Sequence, residues 1–411
     1  MEKSPQEMME ERRKRVLDAV ALKKTDRVPI FIQFGAAASK FGGITTKEGF
    51  SNPDKLIDIY EKLLTEFQPD FYIGMYTFDM RTHEILGTKS FSWPGHGVAD
   101  DAPYQFVEGE YLKADEWDQL LNDTGDFIWR TYLPRIHGNL EALKYMPPAQ
   151  SMLSYFGVLG AFMNPAVTSV FKTIVAAAES SAASFMNNMT FSMRMAAKGF
   201  PTMIGFGGQP PFDLISDFLR GLKGSTLDMF RYPDKLLAAE EKFLPYCIES
   251  TITGSRMMGA PLPAFFLHRG SDEFMSVKQF EKFYWPGLKK LLLATIDAGF
   301  MPFVFWEGTW DNRLEYLKEL PKGKVLGWFD RTDLFKAKKV LGDHMCLMGD
   351  VPVSLLTSGT PQQIKDYTKR LIDEVGRDGG FIMAPQMQLD SGDLDRIRIW
   401  ADFTREYGVY K

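Results

Sequence analysis

FVFWEGTWDNRLEYLKELPKGKVLGWF, residues 303–329, holds the pattern that decides the fold. Two short apolar runs, Phe303–Trp306 and Val325–Phe329, flank a polar connection. Neither run alternates strictly between apolar and polar, so both read as strands buried on both faces, the habit of parallel sheets. The same unit recurs along the chain. Further strand candidates are Val28–Gln33, Phe71–Tyr76, Thr202–Gly207, Pro263–His268, Met345–Met348 and Phe381–Met383. Helices with legible ends lie between them. Asn52-Pro53 places a cap and a first-turn proline before Leu56, Ile59, Tyr60, Leu63 and Phe67 at helical spacing. Thr360 with Gln363 and Ser276 with Gln279 read as capping boxes, and Gly376 can stop the helix that Thr360 opens. Eight strands alternating with helices predict an α/β protein, a (β/α)8 TIM barrel, over a doubly wound sheet. No Gly-rich phosphate motif follows the first strand, which weakens the doubly wound alternative further.

The chain reads as a single barrel domain, residues 1–411, interrupted by one segment that breaks the alternation. Residues 146–200 are rich in Met, Phe, Ala and Ser, with Met186, Met189 and Met193 at spacings of three and four. They predict a Met/Phe-rich helical insertion that serves either as plain packing or as an adaptable lid or docking face.

Composition removes several classes of function. With 45% hydrophobic and 25% charged residues the chain is too apolar to be disordered. A formal charge of −5 argues against a nucleic-acid footprint. Two cysteines, Cys247 and Cys346, exclude a disulfide framework and any metal site built mainly from thiolates. A reducing, cytoplasmic setting is expected, because Met1–Lys24 is dense in charge and lacks the apolar core of a signal peptide. The uncharged run Tyr145–Phe171 reaches membrane-spanning length, yet it contains Pro147, Pro148, Gln150, Asn164 and Pro165. A membrane span is therefore rejected.

Three blocks resemble the uroporphyrinogen decarboxylase superfamily: RRKRVLDAVALKKTDRVPI at 12–30, GFGGQPPFDLISDFLRG at 205–221 and GDHMCLMGDVPVSLLTSGTPQQIKDYTKRLIDEV at 342–375. The resemblance implies a (β/α)8 barrel with its cleft at the C-terminal strand ends. The superfamily holds decarboxylases and corrinoid-linked methyltransferases, so the fold cannot choose between them. Its decarboxylases carry arginines after the first strand to clamp a polycarboxylate, whereas Phe31–Lys40 here reads FIQFGAAASK, without arginine. Asp79, within YTFDM, resembles the decarboxylases' acidic site after strand two. It keeps open a lyase or decarboxylase acting on a less charged substrate. A non-catalytic tetrapyrrole-binding member is a third reading.

The Thr360–Val375 region resembles the corrinoid-dependent methyltransferase branch more. Many members of that branch bind zinc through a His-x-Cys pair and a later Cys. Aligned on Gly308, those positions fall on Phe305, Glu307 and Gln386, so the resemblance implies that the thiolate zinc site is missing. What remains is the component that takes a methyl group from a small, aromatic or apolar donor and passes it to a corrinoid. The chain has no Asp-x-His-x-x-Gly motif, so cobalamin is expected on a partner corrinoid protein. A homodimer is left open; nucleic acid and membrane are not expected as partners.

Methyl transfer from an ether, amine or phenol oxygen needs a proton or a Lewis acid at the departing heteroatom. Candidates belong at C-terminal strand ends. His268 ends PAFFLH, Glu307 follows FVFW and Asp330 follows VLGWF. These three form either an acid/base set or a metal site of N and O ligands, with zinc undecided. Each has a plainer reading: His268 and Asp330 have charged neighbours, Arg269 and Asp272 for one, Arg331 and Asp333 for the other. Glu307 stands in an apolar stretch, where a carboxylate is out of place unless it faces the cleft. Tyr76, Phe78, Asp79, Trp306, Trp310 and Trp328 are the expected substrate-binding walls. Asp350 reads as a cap of the final turn and Cys346 as a small buried hydrophobe.

Overall fold

The computed structural model describes residues 3–410. Six parallel strands lie in sequential order: β1 (Ile204–Gly205), β2 (Leu262–Leu267), β3 (Phe303–Trp306), β4 (Leu326–Phe329), β5 (Cys346–Val351) and β6 (Phe381–Pro385). The first two expected strands extend this sheet only through single parallel bridges, Ile30 to Met383 and Phe31 to Phe71. The reason is local. The Ile30 amide donates to the Asp70 carboxylate (2.8 Å), and the Tyr76 amide to the Tyr60 hydroxyl (2.7 Å), so regular ladder bonds are replaced. Among the described residues no backbone bridge joins the Phe71 segment to β1.

All eight segments nevertheless surround one inner core, to which each contributes: Phe31, Phe71, Ile204, Leu262, Phe303, Leu326, Cys346 and Ile382. This is the packed interior of a TIM-barrel-like α/β fold. Alternation fixes which residues enter it. Phe303 and Phe305 point inward with Leu326 and Trp328, while Val304, Trp306 and Phe329 join the outer core beneath the helices. The capping boxes at Ser276/Gln279 and Thr360/Gln363 are present, as is the Asn52 cap before Pro53. Asp350 is not a cap. It accepts from the Tyr367 hydroxyl (2.9 Å), and the Val353–Ser358 helix after it, with Pro352 at its N-cap, has no side-chain cap.

Helix α1 (Pro5–Val20) adds Val16, Ala19 and Val20 to the inner core. It is tied there by Asp70, fully buried, which accepts from Arg15 (2.6 Å) and Arg27 (2.8 and 2.9 Å). Removing the charge leaves two guanidinium groups without their buried counter-ion. Asp70→Asn should therefore cost about 3–5 kcal/mol. Urea unfolding tests this, and a loss under about 1 kcal/mol would show that Asp70 does not anchor α1.

The segment outside the alternation is larger than expected. Before the helical part comes a three-stranded ribbon in which Phe91–Pro94 pairs with Gly97–Val98 and Gln105–Phe106. Short 3-10 and helical turns follow, then α2 (Tyr155–Phe162) and the 32-residue α3 (Pro165–Ala196). Such short elements leave no periodic signal in the sequence. Asn164 caps α3, and Pro165 opens it. Phe191, on the last turns of α3, packs on Tyr60 and Tyr72 at the barrel wall. No single helix among the described residues is long and apolar enough to cross a membrane; α2 and α3 reach that threshold only as a pair bent by 81°.

Candidate functional site at the barrel mouth

The alternation that fills the barrel also aims its mouth. Leu262 and Ala264 point inward on β2, Phe303 and Phe305 on β3, Leu326 and Trp328 on β4, Ile382 and Ala384 on β6. Continuing each series in steps of two reaches His268, Glu307, Asp330 and Gln386. Four strand ends thus deliver one imidazole, two carboxylates and one amide to the same opening. Gln386 donates to Asp330 (3.2 Å), which also accepts from the Gly308 amide (3.1 Å).

His268 is the most constrained of them. The chain from β1 passes so near β2 that a Cβ on Gly207 would lie 1.2 Å from the Ala264 carbonyl oxygen. This close approach carries the Pro211–Ile215 helix and the Ser216–Arg220 turn back over the end of β2. Asp217 then accepts from His268 Nδ1 (2.6 Å) and Gln209 (3.1 Å). Asp213 accepts from the His268 amide (2.9 Å), the Arg269 amide (3.2 Å) and the Tyr284 hydroxyl (2.8 Å). Burial opposes a charged imidazole, but the hydrogen bond and charge of Asp217, with Asp213 and Glu307 behind it, push its pKa up to about 9. The ring is cationic at neutral pH, Nδ1 donates to Asp217, and Nε2 is left for the mouth. Asp213, wholly buried and beside Asp217, has its own carboxyl pKa raised.

Glu307 is exposed in the opening. Desolvation by the surrounding walls raises its carboxyl pKa; His268 and Arg269 oppose the rise, while Asp330 and Asp217 add to it. Glu307 thus senses His268 and Asp330 together, as an acid/base set requires. Arg269 is held by Asp217 (3.2 Å), Ser216 (3.1 Å) and Glu108.

The expected aromatic walls need correction. Trp306, Trp310 and Trp328 are at most 2% exposed and belong to the core. Trp306 and Trp310 stack edge to face at 4.7 Å under the helices, and Trp328 fills the barrel interior with its Nε1 on the Pro385 carbonyl (2.9 Å). Alternation decides this: with Phe305 and Glu307 inward, Trp306 faces out. The aromatic side of the mouth comes from elsewhere. Tyr104, from the inserted ribbon, lies 4.0 Å centroid to centroid from Phe78 and stacks on Tyr76 at 5.9 Å. Burial raises its hydroxyl pKa, and Asp390 and Glu307 add to the rise. Asp390, after β6, accepts from the Ala36 amide (2.8 Å) and Gln388.

Asp79 and Phe78 instead line a side cleft of about 770 Å³ between Met75–Ile85 and α3. Asp79 caps the Met80–Leu86 helix, accepting from the Thr82 amide (3.2 Å) and hydroxyl (2.5 Å). The strand-end set and the post-strand-two set therefore sit in neighbouring places, joined through Phe78 and Tyr104.

The metal reading of His268, Glu307 and Asp330 is not supported by the placement. Among the described residues no three His, Cys, Asp or Glu side chains converge enough to hold an ion. His268 Nδ1 is engaged by Asp217, and Asp330 by Gln386 and Gly308. A thiolate zinc site does not fit either: Cys247 and Cys346 are buried in two different cores, and neither reaches the mouth. Cobalt-treated protein should accordingly show no intense sulfur-to-metal charge-transfer band. A strong band would refute the placement of Phe305 and Glu307 against the family's ligand pair.

A solved methyltransferase from Methanosarcina mazei shares the fold, with a TM-score of 0.62 at 17% identity over 96% of this chain and 98% of that one. No curated protein sequence matches. The uroporphyrinogen decarboxylase (URO-D) family model matches residues 171–407, which span β1 to β6 and carry His268, Glu307 and Asp330. On that match the chain belongs to the uroporphyrinogen decarboxylase family.

Proposed function

We propose that this chain is the cytoplasmic methyltransferase component that takes a methyl group from a small donor and passes it to a corrinoid carried by a partner protein. The observation that carries the reading is His268, its Nδ1 bonded to Asp217 (2.6 Å), at a strand end next to the one that presents Glu307, with its pKa raised by those carboxylates. A heteroatom that loses its methyl group gains negative charge as the carbon–heteroatom bond breaks, and a positioned acid neutralises it. His268 Nε2 gives the proton, and the Glu307 carboxylate, which shares the opening without an ion pair to the ring, favours the imidazolium by its charge and takes part in the proton transfer. Tyr76 and Tyr104 wall the donor on its apolar side. The partner's corrinoid supplies the cobalt nucleophile as a co-substrate.

Two observations favour this reading over a decarboxylase. Phe31–Lys40 has no arginine to clamp a polycarboxylate. Asp79, the carboxylate shared with decarboxylases, is engaged as a helix cap. The whole-length likeness to a methyltransferase fold agrees with the reading. The test is incubation with a panel of methyl ethers, methylamines and methoxylated phenols together with Co(I) cobalamin. Loss of the Co(I) absorbance, matched by demethylated donor, is expected for one class. Decarboxylation of a carboxylated substrate without Co(I) would transfer the assignment to the lyase class.

A further inference from the structure

The side cleft exists because α3 changes character along its length. Val167 and Val170 on its first turns, and Phe191 and Met195 on its last, are buried. Between them the face that meets Met75–Ile85 carries Ala176, Ser180, Ala183 and Asn187, at spacings of four, three and four. Side chains this short leave the opposite wall untouched, and about 770 Å³ stays open, within the range of small-molecule sites. None of His268, Glu307, Asp330 or Tyr76 lines it, so occupancy here is independent of methyl transfer at the mouth.

The lining sorts by chemistry. Phe50, Leu56, Met75 and Phe78 supply apolar surface. Ser180, Ser184 and Asn187 add hydroxyl and amide groups from α3. Four charged side chains also line the cleft, and two of them are engaged. Asp79 accepts from Thr82 (3.2 and 2.5 Å), and Glu84 lies 2.9 Å from His96 Nδ1. The other two are Arg81, on the Met80–Leu86 helix, and Glu179, on α3. Both are exposed, and among the described residues neither makes an ion pair or a side-chain hydrogen bond, with the other or with any neighbour. One guanidinium and one carboxylate thus line the same cavity from opposite walls, each without a partner.

We infer that this cleft binds a small zwitterion, a free amino acid with an apolar side chain. Its carboxylate suits Arg81, whose planar fork takes a carboxylate through two parallel hydrogen bonds. Its ammonium suits Glu179 and the hydroxyl and amide oxygens of α3, and its side chain lies against Phe50, Leu56 and Met75. A ligand with one charge only strips water from Arg81 and Glu179 and repays just one of them. By touching both walls the amino acid also ties α3 to the Met80–Leu86 helix.

Calorimetric titration of the full chain with L-leucine, L-methionine and L-phenylalanine should show one saturable site for at least one of them. For the tightest, the matched acid and amine that each lack one charge (for leucine, isocaproate and isoamylamine) should bind about 10-fold or more weakly. Arg81→Gln and Glu179→Gln, at exposed positions, should melt like the wild type and each lose about 10-fold or more in affinity for the amino acid. Arg81→Gln should also lose the preference for the amino acid over its amine while keeping the preference over its acid. With the amino acid bound, hydrogen exchange should slow in α3 and in Met80–Leu86. Binding by none of the three, an amine that binds the wild type as tightly as its amino acid, Gln variants with wild-type affinity, or slowed exchange confined to the strand ends would each overturn the inference.

Discussion

Glu307→Gln should slow single-turnover methyl transfer by about 10²–10⁴-fold, the usual contribution of a positioned acid or base. Glutamine keeps the shape and polarity of the side chain but can neither share a proton nor hold the charge of His268. Donor affinity should change much less, because the carboxylate matters chiefly as charge develops on the departing atom. Glu307 makes no ion pair within 4.0 Å among the described residues and stands exposed at the mouth, so the fold does not depend on it. Melting temperature should therefore stay near that of the wild type. A fully active but less stable Gln variant would end the candidacy of Glu307 and shift the search to His268 and Asp330.

Asp217→Asn should be nearly as damaging, by about 10²-fold or more in rate at pH 8, although Asp217 does not touch the donor. Its carboxylate both orients the His268 ring and keeps it protonated. Without that charge the His268 pKa should fall back toward its ordinary value of 6.5. The wild-type rate should hold through neutral pH and decline as pH rises through about 9, where the imidazolium is lost. In the Asn variant that decline should move to near-neutral pH. Stability follows the same sign. His268 has its folded pKa raised, so its stabilising contribution is complete below about 6.5 and is lost as pH climbs through about 9. The pH dependence of unfolding in this window should flatten in Asp217→Asn. An unchanged pH–rate profile would make Asp217 structural only.

Much of this arrangement was readable from residues. The strand alternation, the capping boxes and the three strand-end residues His268, Glu307 and Asp330 all follow from periodicity and position. Parity carries further: the step of two that sends Glu307 inward also sends Trp306 out of the mouth. Asp213 and Asp217 had a signal as well. They are two carboxylates four residues apart within FDLISDF, as misplaced in an apolar stretch as Glu307. Their partner, His268, lies more than 50 residues away in sequence and is reached only because Gly207 lets the chain press against β2. Tyr104 and Asp390 had no signal, since both lie in irregular segments where neither the 3.6 nor the 2.0 period operates. The irregular first two strands were hidden for a similar reason: their amides are taken by Asp70 and the Tyr60 hydroxyl, partners that only the tertiary fold brings near.

The acid at the centre of this account is the His268 imidazolium, and nitrogen-15 NMR of the ring as a function of pH measures it directly. Both ring nitrogens should remain protonated through neutral pH and release one proton only near pH 9, with Nδ1–H shifted by its bond to Asp217. A ring that is already neutral at pH 7 would contradict the account, because no cationic acid would then face Glu307 at the mouth.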